Sequence, residues 1–293
     1  MIRTIMTKIH KFSMHKREFF VVLLVGLFAS YSAYEYQASR SLDKEREKQT
    51  ESATKKIGPA PSPVGKPPLF SSISAGDARK KAFFDYLRQG IARENHRVEV
   101  ERTKLVEIQR RLLNNLISPS DTQFAQQLGK RYRVKLPGSG ISEQWIVDML
   151  HRVDVIPEGL VLVQGANESA WGTSRFAREA NNYFGQWCYK KGCGVVPLQR
   201  GEGMTHEVAK FSSPQGSIHG YFMNVNRNSA YEALREIRFQ RHQSGLSILD
   251  TDAALALTDG LMQYSERGED YVNDLKSMIR HNQEFWQISS DNQ

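Results

Sequence analysis

The sequence predicts a mainly α-helical fold with one small β insertion, preceded by an apolar amino-terminal run and a proline-rich stretch. Three observations carry this expectation. Phe84, Leu87, Ile91, Val98, Leu105, Ile108, Leu112 and Leu116 recur at spacings of three, four and seven, the period of a helix face. Residues 159–166 are almost continuously apolar and follow Pro157. Gly185, Gly192, Gly194, Gly201 and Gly203 interrupt the helical pattern over one β-prone segment. A chain of 293 residues has room for one well-buried domain with appendages, or for two small domains. Its 40% hydrophobic and 25% charged content excludes a wholly disordered chain and a polytopic membrane protein.

In chain order, residues 1–18 form a basic leader, with Arg3, Lys8, Lys11, Lys16 and Arg17 against the single acid Glu18. An apolar segment follows at 19–36, with Tyr31, Tyr34 and Tyr36 suited to the far membrane interface. This pattern predicts a single-pass signal anchor in the inner membrane, with residue 1 in the cytoplasm and the bulk in the periplasm. Secretion after cleavage is the alternative, although no clean A-x-A site follows. Residues 37–76 read as a proline-rich linker, in which Phe70 and Ile73 are available to dock. Residues 77–136 read as a helical region packing on the main domain, with Asp77 as a cap and Ser118-Pro119 ending the first run.

The main domain is expected over 137–288. After a Pro/Gly/Ser turn at 137–140, Ile146, Met149, Leu150 and Val153 mark an amphipathic helix starting near Ile141 or Ser142. Pro157 opens the next helix, which is apolar all round and therefore buried all round. A buried strand is the other reading of that run. A loop with an antiparallel hairpin is expected over 185–212. Helices return from 217 to 286, in three pieces: one with Ile218, Tyr221, Phe222 and Val225 on one face, then 249–262, then 271–286.

The formal charge of +8 and pI near 9.4 suit a polyanionic partner, whether nucleic acid, anionic lipid or wall polymer. Lys and Arg are spread along the chain without an RNP, zinc-finger or helix-turn-helix signature, so nucleic acid is not the expected partner. No phosphate loop, Ser-His-Asp arrangement or H-E-x-x-H motif is present, so no cofactor and no metal is expected. Cys188 and Cys193 are the two cysteines, and the nearest histidine, His206, stands alone. In an exported chain the pair reads as a small disulfide pinning a loop, in a cytosolic one as free thiols.

The chemistry concentrates in Asn167-Glu168-Ser-Ala-Trp171-Gly172. A carboxyl at the end of a fully apolar helix is desolvated, which raises its pKa and lets it hold a proton near neutrality. A general acid for glycosidic cleavage needs that property. Trp171 adds a flat apolar face that suits a sugar ring. An ordinary helix-terminal glutamate would simply turn to solvent.

Glu168-Ser-Ala-Trp-Gly172, followed by Ala180-Asn-Asn-Tyr-Phe-Gly185, resembles the glucosaminidases of glycoside hydrolase family 73, typified by the flagellar muramidase domain and by staphylococcal and listerial autolysins. The resemblance covers residues 140–285. It implies a lysozyme-like α+β fold, in which a helical lobe and a small β-hairpin lobe flank a cleft. It also implies hydrolysis next to N-acetylglucosamine in peptidoglycan glycan strands. By position, Glu168 matches the family's catalytic acid, and Asn182 and Phe184-Gly185 match the motif that shapes the cleft floor. Tyr264, seven residues before Tyr271, partly matches a tyrosine that lines the site. The family's second carboxylate comes from a T-x-E-Y-like strand that is missing here, leaving Glu207 and Glu202 as candidates, with Glu207 on the firmer strand. A single-acid mechanism needs neither. It either uses the substrate's acetamido group or, as in lytic transglycosylases, the sugar's own 6-hydroxyl. A catalytically silent wall-binding protein is the third reading. Gly260-Leu-Met-Gln263 spells a transglycosylase tetrapeptide but lies more than ninety residues beyond Glu168, and reads as helix core.

Overall fold

A computed structural model describes residues 57–198, 200 and 203–286, together with Tyr31, Ser32, Tyr34, Tyr36 and Gln37. The chain divides into Met1–Ile57 and Gly58–Gln293. In the first unit Tyr31, Ser32, Tyr34, Tyr36 and Gln37 are helical and exposed, and the rest of the expected anchor lies outside the described residues, as does Glu202. Among the described residues no helix is long and apolar enough to cross a membrane.

The second unit is mainly helical with one small sheet. Its first long element is a single helix, α1 (Asp77–Leu113), whose 37 residues span about 55 Å at ~1.5 Å per residue. Phe84, Leu87, Ile91, Val98, Leu105 and Ile108 are its buried stripe, as the spacing predicts. Leu116 lies past the helix end and is 65% exposed, so the expected stripe stops one turn early. The next helix, α2 (Pro119–Tyr132), begins where the sequence reads only as a stop. Ser118 and Asp121 form a reciprocal capping box, with proline in the first turn. Asp121 is fully buried and takes Arg111 of α1 at 2.6 Å, joining the two helices.

Helix α3 (Glu143–Arg152) is capped by the Ser142 hydroxyl. Helix α4 (Glu158–Ser169) follows Pro157, and every residue from 159 to 166 is buried. It is surrounded by α1 and by two later helices, α8 (Thr251–Thr258) and α9 (Glu269–Asn282). A short α5 (Arg175–Ala180) leads into three short strands, β1 (Trp187–Cys188), β2 (Gly194–Val195) and β3 (Glu207–Ala209), in the antiparallel order β1-β3-β2. The expected hairpin is thus a three-stranded sheet. Helices α6 (Pro214–Arg227) and α7 (Glu232–Gln243) complete the core. Arg238 of α7 is fully buried, donates to Asn226 and to backbone carbonyls of the α3–α4 connection, and faces Asp154 at 3.5 Å. Burial pulls its guanidinium down to about 10.

The proline-rich stretch is not a free linker over its whole expected length. From Gly58 it lies along α1. Arg93 donates to the Pro61 carbonyl at 2.6 Å, Tyr86 to Gly65 at 2.8 Å, and His96 meets the Gly58 carbonyl at 2.7 Å. Extended proline-rich backbone leaves its carbonyls unpaired, and the long polar side chains of α1 supply the donors. Val64 and Phe70 are buried, and the Phe70 ring packs edge-on against Phe83 and Tyr86 at 5.5 and 5.6 Å. Phe70→Ala should therefore cost about 3–5 kcal/mol of stability. Urea unfolding of the two proteins checks this, since a residue in a free linker would leave the midpoint unmoved.

Candidate active site

Helix α4 ends on Glu168 and Ser169, and the next three residues all take the left-handed conformation: Ala170, Trp171 and Gly172 have φ of 47°, 57° and 74°. For the two non-glycine residues this costs roughly 1–2 kcal/mol each, and specific bonds hold them there. The buried Ser169 hydroxyl donates to the Gly165 carbonyl at 2.6 Å and accepts the Gly172 N–H at 2.9 Å. The Trp171 N–H reaches the Ala166 carbonyl at 2.9 Å. Gly172 is required twice, by its φ and because a Cβ there would lie 2.4 Å from the Phe70 ring. Trp171 is half-buried, edge-on to Phe83 and Phe84 of α1 at 5.9 and 5.3 Å.

This turn leaves Glu168 half-buried. Its Oε1 accepts the Tyr271 hydroxyl at 3.1 Å and the Asn167 side-chain amide at 3.4 Å. Gly185, with φ of 62°, passes so close that a Cβ there would come within 3.1 Å of Oε2. Burial pushes the Glu168 carboxyl above the usual carboxylate range, and the bonds from Tyr271 and Asn167 pull the other way. Tyr271 is itself oriented: Gln164 of α4 donates to its hydroxyl at 3.1 Å while accepting the hydroxyl of Tyr221. The buried Gln164 amide therefore points the Tyr271 proton at Glu168. Tyr264 stacks on Tyr271 at 5.2 Å, lies 5.9 Å from Tyr231, and donates to the Phe184 carbonyl at 3.3 Å. Burial raises Tyr221, Tyr231, Tyr264 and Tyr271 well above the ordinary phenol value, so all four stay neutral beside the acid.

Asn182 and Phe184 are both buried. The Asn182 amide donates to the Gln186 and Ala209 carbonyls, both at 2.9 Å, and accepts N–H bonds from Phe184 and Gln186 at 3.3 and 3.1 Å. Its work is to fold the loop that carries Gly185 and to tie it to β3. Phe184 stacks on Tyr221 at 4.4 Å beneath that loop. These two residues lie inside the protein beneath the Gly185 loop, whereas Trp171 and Tyr264 are partly open.

On the β-lobe, Cys188 and Cys193 form a disulfide. Glu207 is paired with Cys188 in the β1–β3 register, and its two carboxylate oxygens accept the Gly192 and Gly194 N–H groups at 2.9 and 2.8 Å. Those bonds hold its carboxyl below the ordinary value. The two sulfurs and the carboxylate lie within 4.8 Å of one another, a spacing that would suit a metal, but the sulfurs are bonded to each other and both oxygens are engaged. The groups acting on Glu207 are thus loop amides together with the charge of Arg200, and those acting on Glu168 are Tyr271 and Asn167. Trp187 is 55% exposed and stacks on His206 at 4.1 Å, two residues beyond Gly185.

The site residues that the sequence pattern leaves unmarked are Gln164 and Tyr221, with Tyr231 behind them. Gln164 does carry a signal: it is the one polar side chain in the apolar run of α4, and it stands four residues before Glu168, on the same helix face.

Residues 143–284 match the glucosaminidase family described as mannosyl-glycoprotein endo-beta-N-acetylglucosaminidase. The chain is also 33% identical over 216 residues to Protein bax of Escherichia coli (strain K12), covering 74% of each. No solved structure matches it. The acid-bearing turn, the Asn182 loop and the small sheet all fall inside the matched region, and the chain belongs to the glucosaminidase family as a Bax-like member.

Proposed function

We propose that this protein hydrolyses peptidoglycan glycan strands next to N-acetylglucosamine, as an endo-β-N-acetylglucosaminidase with Glu168 as the general acid. The observation that carries the reading is the half-buried Glu168 carboxyl, raised by desolvation and met by a neutral tyrosine hydroxyl. Family membership supports a glycosidase with this bond specificity. Protonated Glu168 gives its proton to the glycosidic oxygen as the bond to the sugar's C1 breaks. Positive charge grows at C1, and a water later attacks there and returns a proton to Glu168.

The second catalytic group in this proposal is the substrate's own 2-acetamido oxygen, which closes on C1 before water arrives. The observation favouring it over Glu207 is that both Glu207 oxygens already take loop N–H groups. Exposed Trp187 beside the Gly185 loop supports a sugar-binding face, since indole suits the apolar face of a hexose. The lytic alternative differs in its product, an anhydro-sugar in place of a reducing end.

We also propose that residues 1–36 anchor the protein in the inner membrane with the catalytic unit in the periplasm. The basic leader and apolar run support this, as does a disulfide, which persists in oxidising compartments. An alkaline phosphatase fused after residue 60 should be active. An inactive fusion at that junction, alongside an active cytoplasmic reporter, ends the topology.

Two expectations test the chemistry. Glu168→Gln should fold normally and lose activity by about 10²–10⁴-fold, the ordinary worth of general acid catalysis. Glu207→Gln should keep at least about a tenth of the rate while exposing the 188–194 loop to protease. Wall digests analysed by mass spectrometry read both, and hydrolysis should leave reducing ends. A dead Glu207→Gln with an intact loop would make Glu207 catalytic.

Tyr271→Phe removes a hydrogen bond that favours the charged form of Glu168, so its pKa should rise further. A general acid is lost as pH rises through its pKa. The alkaline limb of kcat should therefore move to higher pH in this variant, with kcat itself reduced. The groups facing Glu168 from the packed elements are Tyr221, Tyr231, Tyr264 and Tyr271, which stay neutral through this range. An unmoved or lowered limb contradicts the assignment.

A further inference from the structure

Trp187 opens β1 and is 55% exposed, although Val208, opposite it on β3, is buried. A single exposed apolar side chain needs no explanation by itself, but this one is mounted. The His206 ring lies parallel to one face of the indole, with centroids 4.1 Å apart and planes 13° from each other. That contact closes one face and fixes the ring's orientation, so the exposure that remains belongs to the other face and the edge.

The mount is built on the opposite side of the same strand pair. Cys188 stands across from Glu207 in the register, so Trp187 and His206 are the immediate chain neighbours of that pair. The disulfide to Cys193 and the Gly192 and Gly194 N–H bonds to the Glu207 carboxylate hold the pair in place. Consecutive strand residues point to opposite faces, so these bonds fix the strands without covering the indole.

Position ties the ring to the acid. Gly185 passes Glu168 so closely that a Cβ would lie 3.1 Å from Oε2. Gln186 extends the ladder, its carbonyl accepting from Ala209, and turns its side chain to the Ser217 carbonyl of α6 at 2.9 Å. Trp187 therefore leaves the strand on the side away from α6. Its Cα is at most about 7 Å from that of Gly185, a distance that a short run of linked hexoses covers.

We propose that Trp187 is a sugar platform, its open face stacking on a hexose of the strand whose scissile bond lies at Glu168, with His206 as the positioning residue behind it. Glu207 and the disulfide then act through Trp187, which gives both a role in binding without contact to the reacting atoms. An interaction made equally with substrate and transition state shows in KM and not in kcat. The inference rests on the glycan-cleaving reading for the identity of the ligand.

The probe is the β-1,4-linked tetramer of N-acetylglucosamine, titrated by calorimetry into Glu168→Gln so that no turnover intervenes. Trp187→Ala in that background should weaken binding about tenfold, the size of one lost aromatic stack, and Trp187→Phe should recover most of it. The ring is exposed, so the urea midpoint should not move. His206→Ala should lose part of the affinity, and His206→Phe, which stacks but has no ring nitrogen, should restore it. Glu207→Gln and C188S/C193S should weaken the same titration, and adding Trp187→Ala to either should cost little more. In the active protein Trp187→Ala should raise KM on wall glycan by a similar factor, with a smaller change in kcat. A tetramer that does not bind Glu168→Gln, or that binds the Trp187→Ala form equally well, overturns the proposal. A His206→Phe as weak as His206→Ala overturns the backing role, and losses that add in full overturn the mount. Tetramer binding that depends on Trp187, in a chain that releases no product from wall, keeps the platform and removes the hydrolase.

Discussion

Burying α4 on every side is the constraint from which the site follows. A helix with no polar face cannot turn its terminal carboxylate freely to water. Glu168 ends the helix that α1, α8 and α9 surround, Tyr271 of α9 and the Gly185 loop meet its carboxyl, and desolvation does the rest. The same burial forces a solution for Gln164, which lies wholly inside the core. An unsatisfied amide there would be expensive, so two tyrosine hydroxyls meet it, and one of them is thereby aimed at the acid. Satisfying a buried amide and orienting the hydroxyl that meets the Glu168 carboxyl are one arrangement of atoms.

The left-handed turn after Glu168 shows what such placement costs. Two non-glycine residues in succession are in a conformation that L-residues avoid. Ser169 repays part of this by closing the turn with both its donor and its acceptor, and Gly172 supplies the space that Phe70 fills. The Glu168-Ser-Ala-Trp-Gly172 sequence therefore has separable reasons: Ser169 and Gly172 make the turn, Trp171 gives an apolar wall, and Glu168 places a half-buried carboxyl.

Much of this was legible in the sequence, and the gaps have physical causes. The periodicity from Phe84 to Ile108, the Ser142 cap and the apolar run after Pro157 depend on near neighbours, and they correspond to α1, α3 and α4. Glu168 stood out because a carboxylate closing an apolar run is rare. Helix α2 was hidden because Ser118-Pro119 serves both to stop one helix and to cap the next. Gln164 was visible as an oddity, but its partners come from 57 and 107 residues away. The loop contacts of Glu207 depend on the register that pairs Cys188 with Glu207, and no local pattern records a register across 19 residues. The docking of residues 58–76 was concealed for a similar reason. Proline-rich composition describes the backbone's own preference and not the donors that α1 offers it.

That docking extends the structural unit around Glu168 beyond the family match. The family match begins at residue 143, yet the turn that carries the acid does not stand on residues after 143 alone. Trp171 leans on Phe83 and Phe84, and Gly172 closes over Phe70, all three from outside the matched region. Phe70 is in turn held by Phe83 and Tyr86 and by the extended stretch before it. A left-handed turn in two non-glycine residues persists only while its surroundings over-determine it. In this protein part of that determination is supplied by an amino-terminal helix and by the stretch that precedes it. The extension that reads from sequence as an appendage packs against the turn that carries Glu168.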